Sequence, residues 1–221
     1  PLPSFLFRNR GWVFTAIFAA KDSLAKQINI ALVGNPNSGK SSLFNYLTGL
    51  NQQVGNFPGV TVDKKMGQSR ISEDLGATII DLPGTYSLYP KRADEWVAYR
   101  VLLNQDEAIK PDMVVLVADA SNLKRNLLFC SQIIDLNLPV VVALTMMDLA
   151  KRKGTQIDIP GLERELGVPI VPINPRKNKG LEQLKKVIDQ SAGNLYQPPA
   201  RDFIDNQALA SNAVEAVKKH Y

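Results

Sequence analysis

One short segment near the start of the chain restricts its fold more than any other. The sequence Gly34-Asn35-Pro36-Asn37-Ser38-Gly39-Lys40-Ser41 places two glycines, a lysine and a serine at the spacing of a phosphate-binding loop. The apolar run before it, at 28–33, predicts a buried strand, and residues 42–47 after it carry apolar side chains at helical spacing. A strand, a glycine-bounded loop and a helix start together form the geometry that holds a polyphosphate. The sequence therefore predicts that the chain binds a nucleoside triphosphate.

The residue types of this segment suit phosphate chemistry. Gly34 and Gly39 allow backbone conformations that turn N–H groups towards an anion. Lys40 can reach the β- and γ-phosphates, and the hydroxyl of Ser41 can ligate Mg²⁺. We expect every residue from Gly34 to Ser42 to contribute to the nucleotide site.

Composition limits the other classes of function. With 221 residues, of which 45% are hydrophobic, the chain suits one sizeable domain plus an appendage. A single cysteine, Cys130, excludes a disulfide framework, and we expect it to be a buried thiol in a helix. The only histidine, His220, cannot build a metal cluster. The net charge of +5 comes from scattered basic residues without interleaved aromatics, so we expect no nucleic-acid partner.

Short apolar runs alternate with helix-like stretches, which predicts an α/β fold with a mostly parallel sheet flanked by helices. We also expect an antiparallel hairpin between 65–71 and 78–81, with its turn at 73–76. A right-handed first crossover puts the phosphate loop at the carboxyl edge of the sheet. The predicted strands are 28–33, 65–71, 78–81, Met113–Asp119, 140–144 and 170–173, and the predicted helices are 41–47, 93–104, 123–136, Ile159–Leu166 and 181–192.

The predicted domain organisation has three parts. Residues 1–26 form an apolar N-terminal extension or linker, whose longest apolar run of nine residues is too short to span a membrane. Residues 27–195 form the nucleotide-binding domain. Residues 196–221 form the start or remnant of a helical domain, with one amphipathic helix at 206–221. Because the chain begins at Pro1, we expect it to be a piece of a longer protein.

Two further segments narrow the nucleotide chemistry to that of GTPases. Asp81-Leu82-Pro83-Gly84 follows the strand residues 78–80, where GTPases carry Asp-x-x-Gly: the Asp holds a water on Mg²⁺ and the Gly N–H senses the γ-phosphate. Upstream, Gly55 to Thr61 is predicted to form a loop in which Gly59 and Val60 precede a well-placed threonine. The hydroxyl of Thr61 can ligate Mg²⁺ only while the γ-phosphate is present, which defines a switch.

The base-binding segments depart from the usual GTPase pattern. Thr145-Met146-Met147-Asp148 stands where a guanine-binding segment has Asn-x-x-Asp, and Asp148 is placed to accept from guanine N1–H and the amino group. A hydroxyl at Thr145 cannot replace both the donor and the acceptor of a carboxamide. The next strand ends in Asn174-Pro175-Arg176, and Pro175 has no N–H to give to the guanine carbonyl. We therefore predict guanine preference through Asp148 with weakened affinity.

With these residues in view, the chain resembles the cytosolic G domain of the FeoB family, the bacterial ferrous iron transport B proteins. The resemblance covers about 28–192. The stretches that carry it are 34–45, 54–62, Asp81-Leu82-Pro83-Gly84-Thr85-Tyr86-Ser87-Leu88 and Asp119-Ala120-Ser121-Asn122-Leu123-Lys124-Arg125-Asn126-Leu127.

The resemblance implies a GTPase that binds GTP or GDP with Mg²⁺ on the cytoplasmic face of the bacterial inner membrane. It implies a membrane-embedded Fe²⁺ permease in the same polypeptide, a helical domain that relays the nucleotide state, and a small FeoA-like partner, fused or separate. Thr85 follows the switch glycine, where small GTPases place a water-orienting glutamine, so intrinsic hydrolysis is expected to be slow. Asn37 matches an asparagine that helps coordinate K⁺ in the potassium-activated branch.

Two alternatives stay open from the sequence. A ribosome-assembly or tRNA-modifying GTPase would share the Pro-Asn phosphate loop, but it should also show a concentrated basic face. A degenerate nucleotide-binding module without turnover is favoured by Thr145 and Pro175, whereas Lys40, Ser41, Thr61 and Asp81 argue against it. The sequence leaves the oligomeric state open, and its one histidine and one cysteine cannot form an iron site.

Overall fold

The structure is a computed structural model that describes residues 26–49, 52–57, 62–103 and 109–193. The strands are β1 (Lys26–Gly34), β2 (Gln52–Asn56), β3 (Asp63–Arg70), β4 (Leu75–Asp81), β5 (Met113–Asp119), β6 (Val140–Thr145) and β7 (Ile170–Pro172). The helices are α1 (Lys40–Thr48), α2 (Ala93–Leu102), α3 (Leu123–Ile134), α4 (Met147–Arg152), α5 (Ile159–Leu166) and α6 (Leu181–Gly193). Short 3₁₀ turns lie at Ala120–Asn122 and Pro175–Lys177.

In the part of the chain that is described, seven strands form one sheet in the order β2-β3-β4-β1-β5-β6-β7. Strand β1 is central and pairs in parallel with β4 and β5, and β6 and β7 continue the parallel half. Strand β3 pairs antiparallel with both β4 and β2. The sheet is therefore mostly parallel with an antiparallel edge, which confirms the predicted α/β class.

Helices cover both faces of the sheet. Alternate residues of β1 point to opposite faces: Ala31 and Val33 lie in one core cluster, and Ile30 and Leu32 in the other. The first cluster packs under α2, α3 and α5, and the second packs under α1 and α6. Burial on both faces explains why the central strands are almost continuously apolar rather than alternating.

The predicted β3–β4 hairpin is confirmed, but its turn was placed too late in the sequence. Strand β4 already begins at Leu75, and Gly76 pairs with Arg70 of β3. The backbone N–H groups of Ile71 and Ser72 both donate to the Leu75 carbonyl, so the turn lies before Leu75. Leu75 is also buried in the core, and this burial extends the strand beyond the polar residues that suggested a loop.

Two elements were not predicted. Strand β2 includes Gly55 and Asn56, which were assigned to a loop, and all of its residues are exposed at the sheet edge. Helix α4 begins at Met147, directly after β6.

Of the predicted terminal segments, only Lys26 is described, as the first residue of β1; residues 1–25 and 196–221 lie outside the described ranges. Within those ranges, no helix has both the length and the apolarity that a membrane span requires.

Cys130 lies on α3 with its side chain 1% exposed, as expected for a core thiol. Burial raises the pKa of this thiol to about 12, so it is protonated throughout the neutral range. We predict that the folded chain does not react with a disulfide reagent at pH 8, and that one thiol reacts when urea unfolds it. Because Cys130 is the only cysteine, reaction at the unfolded rate under native conditions would contradict this packing.

Candidate nucleotide site

A cleft of about 830 Å³ opens where the carboxyl ends of β1, β6 and β7 meet the loop that follows β4. Such a cleft at the carboxyl edge of a parallel sheet is the usual ligand site of α/β proteins. Its walls come from four separate parts of the sequence. They consist of Asn35, Pro36, Asn37, Gly39, Lys40, Ser41, Ser42, Gly84, Arg92, Asp94, Thr145, Met146, Asp148, Leu149, Arg152, Ile173, Asn174, Pro175 and Arg176.

The phosphate loop connects β1 to α1 and has little space or freedom for larger side chains. A Cβ at Gly34 would lie 2.6 Å from the Val117 carbonyl oxygen of the neighbouring strand. Asn37 and Gly39 have φ angles of 64° and 93°, in the left-handed region that asparagine and glycine adopt most readily. Gly39 is the N-cap of α1, and no side chain caps the start of this helix. The first turn of α1 lines the cleft, and a helix start of this kind favours an anion.

A largely buried ion pair joins the loop to the end of β4. The Lys40 ammonium donates to Oδ1 of Asp81, at the end of β4, and the two side chains are only 11% and 8% exposed. Removing two charges from water costs free energy that a single pair often fails to recover, so this pair is weak as a device for stability. A polyphosphate with a divalent cation would give each member of the pair a second counter-charge.

Two oxygens of the loop fit further ligands. Among the described residues, Asn35 Oδ1 and Ser38 Oγ are buried and make no hydrogen bond. A carboxamide oxygen accepts hydrogen bonds or binds a cation, while a hydroxyl can also donate to a phosphate. With the Ser41 hydroxyl on the cleft wall and the Asp81 carboxylate at its base, the donor set is oxygen-only, which suits Mg²⁺. Gly59, Val60 and Thr61 lie outside the described residues.

The segment after β4 packs directly on the phosphate loop. The Thr85 N–H donates to the Gly34 carbonyl at 3.2 Å, and a Cβ at Gly84 would lie 3.2 Å from the Pro36 nitrogen. The Thr85 side chain is 2% exposed, and its hydroxyl donates to the Ser87 carbonyl at 2.7 Å. This hydroxyl is therefore held within its own turn and is not part of the cleft wall.

Helix α3 holds the same segment from the other side. Oε1 of Gln132 accepts a 2.9 Å hydrogen bond from the Leu88 N–H, and the Arg125 guanidinium lies 3.7 Å from the centre of the Tyr86 ring. These two contacts connect the segment after Gly84 to α3.

Thr145 joins the phosphate side of the cleft to the base side. Its hydroxyl lies 2.6 Å from the Ser38 carbonyl oxygen and 3.0 Å from that of Ala118, and the side chain is 3% exposed. One hydroxyl proton is shared between these two carbonyls, so Thr145 fixes the phosphate loop against β5. Sequence reasoning considered Thr145 only as a base contact, because its partner Ser38 lies 107 positions earlier.

The base side is built from two turns. Met146, with φ 56°, sits in a left-handed turn that starts α4, and Asp148 on that helix is half exposed, with Lys177 Nζ at 4.0 Å. In the second turn the Asn174 carboxamide oxygen accepts from the Lys177 N–H at 3.1 Å. This oxygen therefore caps its own turn, although Asn174 also lines the cleft. Pro175 and Arg176 follow on the cleft wall.

The structure places most of the predicted site residues on or beneath one cleft. Gly34, Ser38 and Asp81 lie beneath its surface rather than on its wall. Leu82 is fully buried in the core cluster under α2, and Pro83 is not part of the wall. The wall also contains residues that sequence reasoning missed. These are Arg92, Asp94, Leu149, Arg152 and Ile173.

Arg92 and Asp94 line the cleft at the start of α2. Nη2 of Arg92 donates to Asp94 Oδ2 at 2.5 Å, and this hydrogen bond is the main reason that the pKa of Arg92 is raised. Both side chains follow a loop without a recognised motif, so no sequence signal marked them.

One part of the family-like sequence has a structural explanation. Asn126 is buried on α3, where its oxygen accepts from the Asp119 N–H at 3.2 Å and its nitrogen donates to the Asn122 carbonyl at 2.9 Å. Asp119 in turn accepts from the Ser121 N–H. The motif at 119–127 thus fixes the path from β5 into α3. Among the described residues, no group of three or more His, Cys, Asp or Glu side chains could hold a metal ion, so they contain no iron site of that kind.

Comparison with known proteins agrees with this geometry. Residues 28–188 match the family model described as ferrous iron transport protein B. The Fe(2+) transporter FeoB of Salmonella typhimurium is 44% identical over 173 residues, which is 76% of this chain but only 22% of that protein. The chain thus spans about a fifth of the length of such relatives.

Solved structures of similar domains share the fold. The G domain of the T. maritima FeoB iron transporter superposes with a TM-score of 0.69 at 41% identity, covering 76% of this chain and 99% of that one. A mutant of S. thermophilus NFeoB bound to GDP superposes with a TM-score of 0.70 at 41% identity, covering 85% of this chain and 70% of that one. The fold is therefore that of a P-loop GTPase, and the chain belongs to the FeoB family, whose N-terminal G domain it contains.

Proposed function

We propose that the chain binds GTP and GDP in this cleft and hydrolyses GTP slowly, as the switch of a Fe²⁺ transporter. The observation that carries the proposal is that Lys40, a phosphate-loop residue paired with Asp81, lines the same cleft as Asp148. Similar G domains are known with GDP bound, including the S. thermophilus NFeoB protein. The proposal extends that chemistry to this chain.

The phosphate end of the cleft would hold the triphosphate by charge and by the helix start. Lys40 exchanges part of its interaction with Asp81 for the β- and γ-phosphate oxygens, and the uncapped N–H groups of α1 add favourable partial charge. Mg²⁺, when bound, would neutralise phosphate charge, held by Ser41, by Asp81 through water, and by Thr61 in the triphosphate state.

The base end would select guanine through Asp148. Its carboxylate is half exposed on the cleft wall and can accept two hydrogen bonds from one ligand. Guanine offers two adjacent donors, N1–H and the amino group, whereas adenine has no N1–H to donate. Only weak competition comes from Lys177, at 4.0 Å and on the exposed surface.

Slow hydrolysis follows from what faces the γ-phosphate position. Thr85, which follows Gly84, keeps its hydroxyl on the Ser87 carbonyl, so it offers no group to orient a water. Positive charge beside the phosphates would then come from K⁺, with Asn37 as one ligand. Its left-handed backbone angle also gives Asn37 a purely structural role, so the two roles need separate tests.

Coupling to the rest of a transporter would run through the segment after Gly84. That segment touches the phosphate loop through Thr85 and touches α3 through Gln132 and Arg125. A change in nucleotide state at Gly84 would therefore shift α3 and its surface. We further propose a membrane-embedded permease as the partner, in the same polypeptide, with this domain at the cytoplasmic face of the inner membrane.

Titration calorimetry with GDP and ADP, with and without Mg²⁺, tests the binding claim. We expect GDP to bind at least about 100-fold more tightly than ADP, because only guanine satisfies Asp148. An Asp81→Asn variant should lose most of the gain in affinity that Mg²⁺ gives. Equal affinity for GDP and ADP, or no binding of either, would contradict the proposal.

Replacing Asn37 separates its backbone role from a cation role. In Asn37→Gly the left-handed φ stays accessible while the carboxamide is lost. We expect the hydrolysis rate in KCl to fall about tenfold, to the rate in NaCl, with GDP affinity within about threefold. The measurement is phosphate release in the two salts, with Asn137→Gly, at another left-handed asparagine outside the cleft wall, as the matched control. If Asn37→Gly kept the full difference between KCl and NaCl, the cation role would be wrong.

A further inference from the structure

The proposed guanine site has an identified partner for the donor groups of the base but none for its acceptor groups. Guanine presents two donors, N1–H and the amino group, and two acceptors, O6 and N7. Asp148 accepts and therefore serves only the donors. Tight and selective binding also needs protein donors opposite O6 and N7.

Thr145 and Pro175 occupy the positions from which such donors are expected, but neither has a free one. The Thr145 hydroxyl has one proton, and that proton faces the Ser38 and Ala118 carbonyls at 2.6 and 3.0 Å. Pro175 has no N–H. Neither residue can therefore donate to the base while the structure keeps these contacts.

Arg176 directly follows Pro175, the residue without an N–H. Its side chain is exposed to solvent and forms part of the cleft wall, together with Pro175 and Asn174. Its backbone is fixed by Pro175 on one side and by the Asn174 hydrogen bond to Lys177 on the other, so the position of its Cα is well defined. In protein–DNA complexes, a guanidinium that donates to O6 and N7 together is the commonest specific contact with guanine.

We propose that Arg176 is a specificity-determining residue that donates to guanine O6 and N7, and so replaces the donors absent at Thr145 and Pro175. This inference rests on the proposed guanine-nucleotide function. Asp148 then binds the donor groups of the base and Arg176 its acceptor groups, from two different turns.

The two other cations nearby fit this role less well. Lys177 is not on the cleft wall, and its ammonium is 4.0 Å from Asp148, on the donor side of the base. Arg152 is on the wall but stands four residues after Asp148 on α4, so it too lies on the Asp148 side.

Nucleotide analogues can test each edge of the base separately by calorimetry. In 7-deaza-GDP a C–H replaces N7, while inosine diphosphate lacks the amino group that Asp148 would bind. We expect the unmodified chain to bind each analogue about five- to tenfold more weakly than GDP. Arg176→Gln should bind GDP about tenfold more weakly and should no longer distinguish GDP from 7-deaza-GDP. It should still disfavour inosine diphosphate by the original factor.

Three further variants sharpen the result. Arg176→Lys keeps the charge but not the planar fork, so we expect it to distinguish GDP from 7-deaza-GDP less strongly than the unmodified chain does. Arg164→Gln removes the same charge from α5, outside the cleft wall, and should leave all three affinities unchanged. Arg152→Gln should leave the preference for GDP over 7-deaza-GDP intact.

Several results would overturn the inference. If Arg176→Gln kept the preference for N7 while all nucleotides bound more weakly, Arg176 would act by charge or stacking alone. If Arg152→Gln abolished the preference instead, the donor would be Arg152. Absence of GDP binding by the unmodified chain would overturn the proposed function as well, whereas tight GDP binding with an inert Arg176 would overturn only this inference.

Discussion

The Lys40→Met variant is expected to bind GDP at least about 100-fold more weakly than the unmodified chain. The Lys40 ammonium is the cation of the phosphate loop on the cleft wall, and charge-assisted hydrogen bonds to phosphate are among the strongest in proteins. Its loss also leaves the Asp81 carboxylate without its partner, which adds repulsion towards the phosphates. Calorimetry with GDP and Mg²⁺ measures the change, with the exposed Lys186→Met on α6 as the control.

A double variant separates the two contributions to this loss. In Lys40→Met/Asp81→Asn the unpaired carboxylate is gone, so part of the lost affinity should return when Mg²⁺ is chelated. If Lys40→Met bound GDP within about fivefold of the unmodified chain, the phosphates would not lie at this loop.

The Gly34→Ala variant is expected to lower the free energy of unfolding by about 2–4 kcal/mol and to abolish nucleotide binding. The added methyl group would stand 2.6 Å from the Val117 carbonyl oxygen, and both atoms belong to paired strands at the centre of the sheet. Neither backbone can move without shifting the phosphate loop. Urea unfolding followed by tryptophan fluorescence measures the stability.

Gly55→Ala is the matched control for this substitution. A Cβ at Gly55 meets nothing within 4 Å, and the residue lies on the exposed edge strand β2. We expect its stability to stay within about 0.5 kcal/mol of the unmodified chain. Equal stability of Gly34→Ala and Gly55→Ala would show that β1 and β5 are not packed as described.

The elements that could be predicted are those whose own sequence carries a recognisable pattern. The phosphate loop is defined by residue types at fixed spacing, and β1, β5 and β6 are apolar because both faces of the sheet are covered. Strand β2 lacked such a signal because Gln52, Gln53 and Asn56 are polar and exposed at the edge. Its pairing with β3, rather than its own pattern, makes it a strand.

The site was predictable as a set of motifs but not as a set of contacts. Motif spacing indicated Lys40 and Asp81 as site residues, yet their direct pairing depends on how β1 and β4 align. Thr145 was interpreted as a weakened base contact, whereas its hydroxyl fixes the phosphate loop against β5. Such roles depend on partners far away in sequence, and no local pattern encodes them.

Phosphate release from GTP in KCl, with a roughly tenfold excess of ATP as competitor, tests the central claim most directly. We predict slow turnover of GTP that ATP does not inhibit, and a lower rate when NaCl replaces KCl. This outcome requires the phosphate loop, Asp148 and the cation position to act in one cleft. No phosphate release in either salt, or suppression of release by ATP, would contradict the account of this domain as a guanine-specific switch.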